Sequence, residues 1–129
     1  MKPVLIDSYA HAGVADTQAA IAAATEAAPA WAASTPQTRH DLLRRTAEEL
    51  RSRRDEIGRL LSREEGKTLP EGIAETARAA QIFDFFAGEA LRQTGDLLPS
   101  VRPGVTVEVT REPGGGVGSI APWNFPIAI

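Results

Sequence analysis

The residues best suited to chemistry form the stretch Pro122-Trp123-Asn124-Phe125-Pro126. Proline fixes its own φ and drives the residue before it towards extended geometry, so a turn between two prolines is predicted to be stiff. A stiff corner that presents a side-chain N–H donor suits a binding or catalytic position, which makes Asn124 the first candidate. The same carboxamide could instead stabilise its own turn, and the residues alone leave both interpretations open.

The glycines before this corner invite another interpretation, because residues 116–121 fit the dinucleotide-binding spacing G-x-G-x-x-A. That motif should open a helix, and Pro122 and Pro126 oppose one. The favoured interpretation is a flexible turn that leads into a short strand from about Val117.

The other polar residues are weaker candidates for a functional site. His11 and His40 lack the spacing of metal ligands, and the sequence contains no cysteine. We therefore predict no metal site, no disulfide and no cysteine nucleophile within this chain. Glu64, Glu65 and Lys67 are typical of a solvated helix end.

The aromatic pair Phe85 and Phe86 lies on a predicted helix, where such residues usually belong to the core. Neighbouring residues on a helix point in different directions, so one of the two rings could line a groove instead.

Composition narrows the possible partners. The chain has 129 residues, 43% of them hydrophobic and 24% charged, with a net charge of −3. This balance gives no reason to expect nucleic acid or a membrane surface as a partner. No apolar segment approaches the roughly 20 residues that span a bilayer, so a cytoplasmic location is expected. Small alanines dominate residues 19–33 and predict a thin core that depends on further surface.

Four helices should position the candidate residues. Thr35 followed by Pro36 is a clear helix start, and Gly66 is a natural stop. Pro29 should end the first helix, which Asp16 or Thr17 could cap. We expect helices over residues 16–28, 36–53, 55–65 and 70–93, after a strand or extended arm at residues 4–6.

The pattern then changes to period two. Apolar and polar residues alternate over residues 105–110, after a Pro103-Gly104 turn. This alternation predicts a β-hairpin with one apolar face and one wet face.

The corner and its surroundings resemble the start of the cofactor domain in the aldehyde dehydrogenase superfamily. The resemblance rests on Glu112-Pro113, Gly115, Val117-Gly118, Ile120 and residues 121–126, with upstream support from Arg44, Glu65-Gly66-Lys67 and Phe85-Phe86-Ala87-Gly88. It implies an α/β parent with a Rossmann-type cofactor domain, of which residues 1–129 are the N-terminal part. That part would divide into a helical region (1–94), a hairpin of an oligomerisation sheet (95–113) and the start of the cofactor domain (114–129), with its first strand.

The resemblance also implies an activity, the oxidation of an aldehyde to a carboxylic acid with NAD or NADP. Asn124 would donate an N–H to the aldehyde oxygen, and the nicotinamide side of the cofactor cleft would be lined by Ile120, Ala121, Pro122, Trp123 and Asn124. Phe85 and Phe86 would edge the substrate tunnel. The helices look most similar to bacterial members that act on semialdehydes, such as 2-oxoglutarate semialdehyde, and the parent would be a homodimer or homotetramer.

The chain departs from the family pattern in two respects. The family's nucleophilic cysteine and general-base glutamate fall beyond Ile129, so residues 1–129 alone are expected to be inactive. Gly114 and Gly116 replace larger apolar residues, which should loosen the strand. A non-catalytic helical interaction module derived from the same family is the alternative.

Overall fold

The computed structural model describes residues 11–129, which form four helices and then a two-stranded hairpin. The elements are α1 (Val14–Ala32), α2 (Pro36–Ser52), α3 (Arg54–Glu65), α4 (Leu69–Ala90), β1 (Asp96–Pro99) and β2 (Thr106–Val109). The predicted helical region and hairpin are thus confirmed, with bounds that differ by a few residues. The strand or arm expected at residues 4–6 lies outside the described residues. None of the described helices is long and apolar enough to cross a membrane.

Helix α1 corrects two expectations. It begins after Gly13, and the Asp16 carboxylate accepts the Gly13 N–H at 2.7 Å from the first turn instead of capping from outside the helix. Pro29 does not end the helix, which continues to Ala32. Proline removes one helical hydrogen bond, and because Thr25 is exposed, water can satisfy the carbonyl that loses its partner. No residue of α1 is buried.

Helices α2, α3 and α4 pack together through small residues. Ala47, Ala79, Ala80 and Ala87 are buried between them. Helices α3 and α4 approach so closely at Gly58 that a Cβ there would lie 2.7 Å from the Ile73 backbone nitrogen. The core is therefore thin in side-chain volume but tight at the backbone.

Local signals set the helix ends as predicted. The Thr35 hydroxyl accepts the Thr38 N–H at 3.1 Å at the start of α2. Gly66 ends α3 with a φ of 80°, a left-handed conformation that favours glycine. Only residues 66–68 connect α3 to α4.

The hairpin pairs β1 with β2 in antiparallel register, with Leu98 opposite Val107 and Asp96 opposite Val109. Every residue of both strands is exposed, including the apolar side chains. The apolar face that the alternation predicts is present but uncovered within the described chain.

The strand expected from about Val117 is absent. Residues 110–121 form neither strand nor helix, and no other segment of residues 11–129 pairs with them. A strand requires a neighbour for its backbone hydrogen bonds, and the hairpin does not supply one here. No helix follows Gly118 either, as expected from the two prolines.

Candidate functional site

The corner at residues 122–126 is a hydrogen-bonded turn. The Phe125 N–H donates to the Pro122 carbonyl at 3.3 Å. The turn forms one wall of a cleft of about 610 Å³, and the connection between α3 and α4 forms the other. Lining residues on that side are Glu64, Glu65, Gly66, Lys67 and Glu71.

Asn124 is exposed and lines this cleft. Among residues 11–129 its carboxamide has no hydrogen-bond partner, whereas its backbone carbonyl accepts one bond. A turn-stabilising asparagine would bond its own backbone, so the described structure does not support that interpretation. The side-chain donor is left available to a molecule in the cleft.

Lys67 links the corner to the connection between α3 and α4. Its ammonium group donates to the Asn124 carbonyl at 2.8 Å and to the Glu75 carboxylate, and it lies 2.8 Å from Glu65 Oε2. The two hydrogen-bond acceptors and the second carboxylate surround the ammonium group. The same nitrogen lies 4.8 Å from the centre of the Phe125 ring, within reach of a cation–π contact.

Glu75 holds the other side of the corner. Its second carboxylate oxygen accepts the Ile127 N–H at 3.2 Å. Its side chain is 1% exposed and that of Lys67 is 13% exposed, so the pair is largely removed from water. The main chain is therefore fixed on both sides of the restrained Phe125-Pro126 bond.

The charge balance keeps Lys67 protonated. Burial of the ammonium lowers the pKa of Lys67, but hydrogen bonds and charge from Glu65 and Glu75 outweigh it and hold that pKa above its usual value. Glu71, at the rim of the cleft, has its pKa lowered because it accepts hydrogen bonds from the Thr68 hydroxyl and backbone N–H.

The interpretation of residues 64–67 as a solvated helix end is correct for Glu64 and wrong for Glu65 and Lys67, which the corner partly covers. A signal for this was present in α4. Glu75 lies three residues after buried Gly72 and four before buried Ala79, on the face that α4 turns inward. A carboxylate at a core position requires a cationic partner, and Lys67 is the nearest lysine in the sequence.

The predicted cofactor residues form an open edge. Ile120 and Trp123 are almost fully exposed, Ala121 is exposed and Pro122 is half-buried. Trp123 shares the cleft lining with Asn124, and the other three do not.

The phenylalanine pair lies elsewhere. The two rings meet edge to face with centroids 5.2 Å apart. Both are largely exposed, so their assignment to the core is wrong within the described chain. Neither ring belongs to the cleft that Asn124 lines.

The histidines behave as side chains of the fold. His40 is half-buried, and its Nδ1 lies 2.8 Å from the Ala87 carbonyl, which links α2 to α4. Across residues 11–129 no group of three His, Cys, Asp or Glu side chains could hold a metal ion.

Comparison with known proteins identifies the family. The model of the aldehyde dehydrogenase family matches residues 2–129. The chain belongs to the aldehyde dehydrogenase family. The resemblance carried by residues 112–126 is thereby confirmed.

Two relatives show where in the family the similarity falls. The chain is 46% identical over 114 residues to the alpha-ketoglutaric semialdehyde dehydrogenase of Bacillus subtilis, covering 88% of this chain and 23% of that protein. It is 40% identical over 125 residues to the glutarate-semialdehyde dehydrogenase of Pseudomonas putida, covering 97% of this chain and 26% of that protein. The aldehyde dehydrogenase chain thus spans about a quarter of the length of these relatives.

Solved structures agree on the fold. An NAD-dependent benzaldehyde dehydrogenase from Corynebacterium glutamicum superposes with a TM-score of 0.89 at 36% identity, covering 95% of this chain and 27% of that one. An NADP-dependent enzyme from E. coli superposes with a TM-score of 0.86 at 38% identity, covering 90% and 24%. The helices and hairpin are therefore those of an aldehyde dehydrogenase.

Proposed function

We propose that this chain serves as part of an NAD(P)-dependent enzyme that oxidises an aldehyde to a carboxylic acid, with Asn124 as a donor to the aldehyde oxygen. The observation that carries the proposal is the position of the Asn124 carboxamide. The carboxamide lines a cleft, has no partner among residues 11–129 and is followed by a main chain that Lys67 and Glu75 hold in place.

The chemistry calls for such a donor. When a nucleophile adds to an aldehyde carbon, the carbonyl oxygen becomes an oxyanion, and a preorganised N–H stabilises that charge. The nucleophile is a thiolate in this proposal, and since residues 1–129 contain no cysteine, other residues must supply it. The 129-residue segment by itself is accordingly inactive.

The cofactor would lie against the open edge at residues 120–123. An apolar edge that includes an exposed indole fits the flat nicotinamide ring, since cofactor pockets are mostly apolar with a few placed polar groups. These four side chains provide no phosphate ligand, so their role is limited to the nicotinamide end. NAD(P)+ bound there supplies the acceptor for the hydride that leaves the substrate carbon.

The substrate class is an aldehyde, and the names of the similar proteins favour a semialdehyde such as 2-oxoglutarate semialdehyde. Phe85 and Phe86 would form an edge of the route to the cleft, where their exposure leaves them able to contact substrate. The uncovered hairpin would join a sheet of a homodimer or homotetramer. We place the enzyme in the cytoplasm, without nucleic acid or membrane as a partner.

Replacing Asn124 tests the proposal. In the polypeptide that the complete reading frame encodes, Asn124→Ala should lower kcat about 10²–10³-fold, because one oxyanion donor is lost. The dissociation constant for NAD(P)+ should change far less than kcat, because residues 120–123 keep the rest of the cofactor edge. The matched control is Gln37→Ala, which removes an exposed carboxamide bonded to Asp41 on α2 and should leave kcat unaltered.

The opposite result is equally clear. Full turnover by the Asn124→Ala enzyme would remove the carboxamide from the mechanism. A reading frame that lacks a downstream cysteine and glutamate, with no NAD(P)H formed from any aldehyde, would favour the helical interaction module instead.

A further inference from the structure

We propose that Lys67 and Glu75 are positioning residues for the Asn124 carboxamide, holding the main chain that follows it at the Asn124 carbonyl and at the Ile127 N–H. This inference rests on the proposed function. It assigns a role in the reaction to an ion pair whose lysine lines the cleft and whose carboxylate lies behind it, neither of them a predicted site residue.

Lys67 and Glu75 both contact the main chain at or just after the corner. The ammonium of Lys67 reaches the carbonyl of Asn124 itself at 2.8 Å, and the carboxylate of Glu75 reaches the N–H of Ile127 at 3.2 Å. One group therefore fixes the peptide that leaves Asn124, and the other fixes the chain just after Pro126. A side chain departs from its backbone through one bond, so fixing the peptide fixes the origin of the carboxamide.

No strand partner holds the corner within the described chain. Residues 110–121 form neither strand nor helix, so no sheet holds the corner from the upstream side. The turn bond from Phe125 to Pro122 is internal to the corner and does not attach it to the helices. The hydrogen bonds that attach it to the helical unit come from Lys67 and Glu75, beside the contact of Lys67 with the Phe125 ring and the half-buried residues 126–128.

Breaking the Lys67–Glu75 pair is costly. Removing one partner of a buried ion pair leaves the other charge uncompensated, so each half depends on the other. Without the ammonium group, Glu65 and Glu75 would be left as two carboxylates beneath the corner, and the Asn124 carbonyl would lose its donor. The expected response is a shift of the corner.

A double-mutant cycle in the polypeptide of the complete reading frame tests the inference. Lys67→Met should lower kcat about 10–100-fold, since a displacement near 1 Å can cost that much. The KM for the aldehyde and the dissociation constant for NAD(P)+ should stay near their original values. In an Asn124→Ala background the same change should have no further effect on kcat, because the side chain that Lys67 positions is gone.

Three further variants complete the design. Lys67→Arg keeps the charge and donors and should recover most of kcat. Glu75→Gln keeps an acceptor for Ile127, should lower kcat less than Lys67→Met, and carries the same cycle if Lys67→Met fails to fold. Arg53→Met removes an exposed cation 2.8 Å from Glu56 and should leave kcat within about twofold.

The outcomes separate the two proposals. Asn124→Ala without loss of kcat overturns the proposed function. Asn124→Ala with loss, together with Lys67→Met or Glu75→Gln effects that are as large in the Asn124→Ala background as in the original enzyme, overturns only the positioning role. A Lys67→Met enzyme with normal kcat overturns the positioning role directly.

Discussion

The three-helix unit α2–α4 buries some of its apolar side chains, whereas the segment from β1 to Ala121 leaves its apolar side chains exposed. In the helices, Leu61 is 4% exposed, whereas in the hairpin Leu98 is 50% exposed. Helices α2, α3 and α4 pack against one another, and the hairpin packs against no helix of the described chain. The comparison teaches that the helical unit can hold a site in place, while the hairpin leaves its apolar face uncovered within residues 11–129.

The largest expected effect on this comparison comes from replacing one leucine by alanine in each region. Leu61→Ala should lower the free energy of unfolding by about 2–5 kcal/mol, because it empties a buried site. Leu98→Ala should change it by less than about 1 kcal/mol, since half of that side chain already faces water. Urea unfolding of the 129-residue chain, followed by circular dichroism, measures both. Equal losses at the two leucines would mean that the hairpin is buried in solution.

A smaller effect is expected from the close backbone contact between α3 and α4. Gly58→Ala should destabilise the helical unit by about 1–3 kcal/mol, because its Cβ would collide with the Ile73 backbone. Gly88→Ala is the matched control, since no atom lies within 4 Å of a Cβ there and alanine favours helix by about 1 kcal/mol. The same unfolding measurement should give opposite signs. Stabilisation by Gly58→Ala would show that α3 and α4 are further apart.

The smallest expected effect is a loss of stability at alkaline pH. It is expected in the helical unit, which Lys67 connects, and not in the hairpin. The folded-state pKa of Lys67 is raised above 10.5, so its contribution to stability is complete below pH 10.5 and is lost as the pH rises through the folded-state value. Thermal melts at increasing alkaline pH should show this loss in the original chain and not in Lys67→Met. The difference between the two proteins isolates Lys67 from other groups that titrate there, and parallel melting curves would contradict the ion pair.

The sequence predicts the start of α2 and the end of α3 correctly because the interactions that set them lie within a few residues. Thr35 caps a helix and Gly66 ends one through contacts within a few residues. The Pro-Trp-Asn-Phe-Pro corner is likewise a short motif, so the sequence alone predicts Asn124 as a candidate.

The errors arose where a distant partner or the solvent decides. Pro29 is tolerated inside α1 because the surrounding residues are exposed to water. The local sequence around a proline does not show whether it will be exposed. The strand from Val117 needs a neighbour that residues 11–129 do not supply. The Lys67–Glu75 pair was missed because residues 64–67 were interpreted by their own charges, although Glu75 on the inner face of α4 required a partner.

The close approach at Gly58 has a consequence for genetics. Lys67 sits on the connection between the two helices that meet at Gly58 and Gly72, and it contacts the corner directly. If the corner follows those helices, a screen for lost activity would recover substitutions at either glycine beside those at Asn124. Neither glycine lines the cleft, so such a map would place active-site phenotypes inside a helix interface.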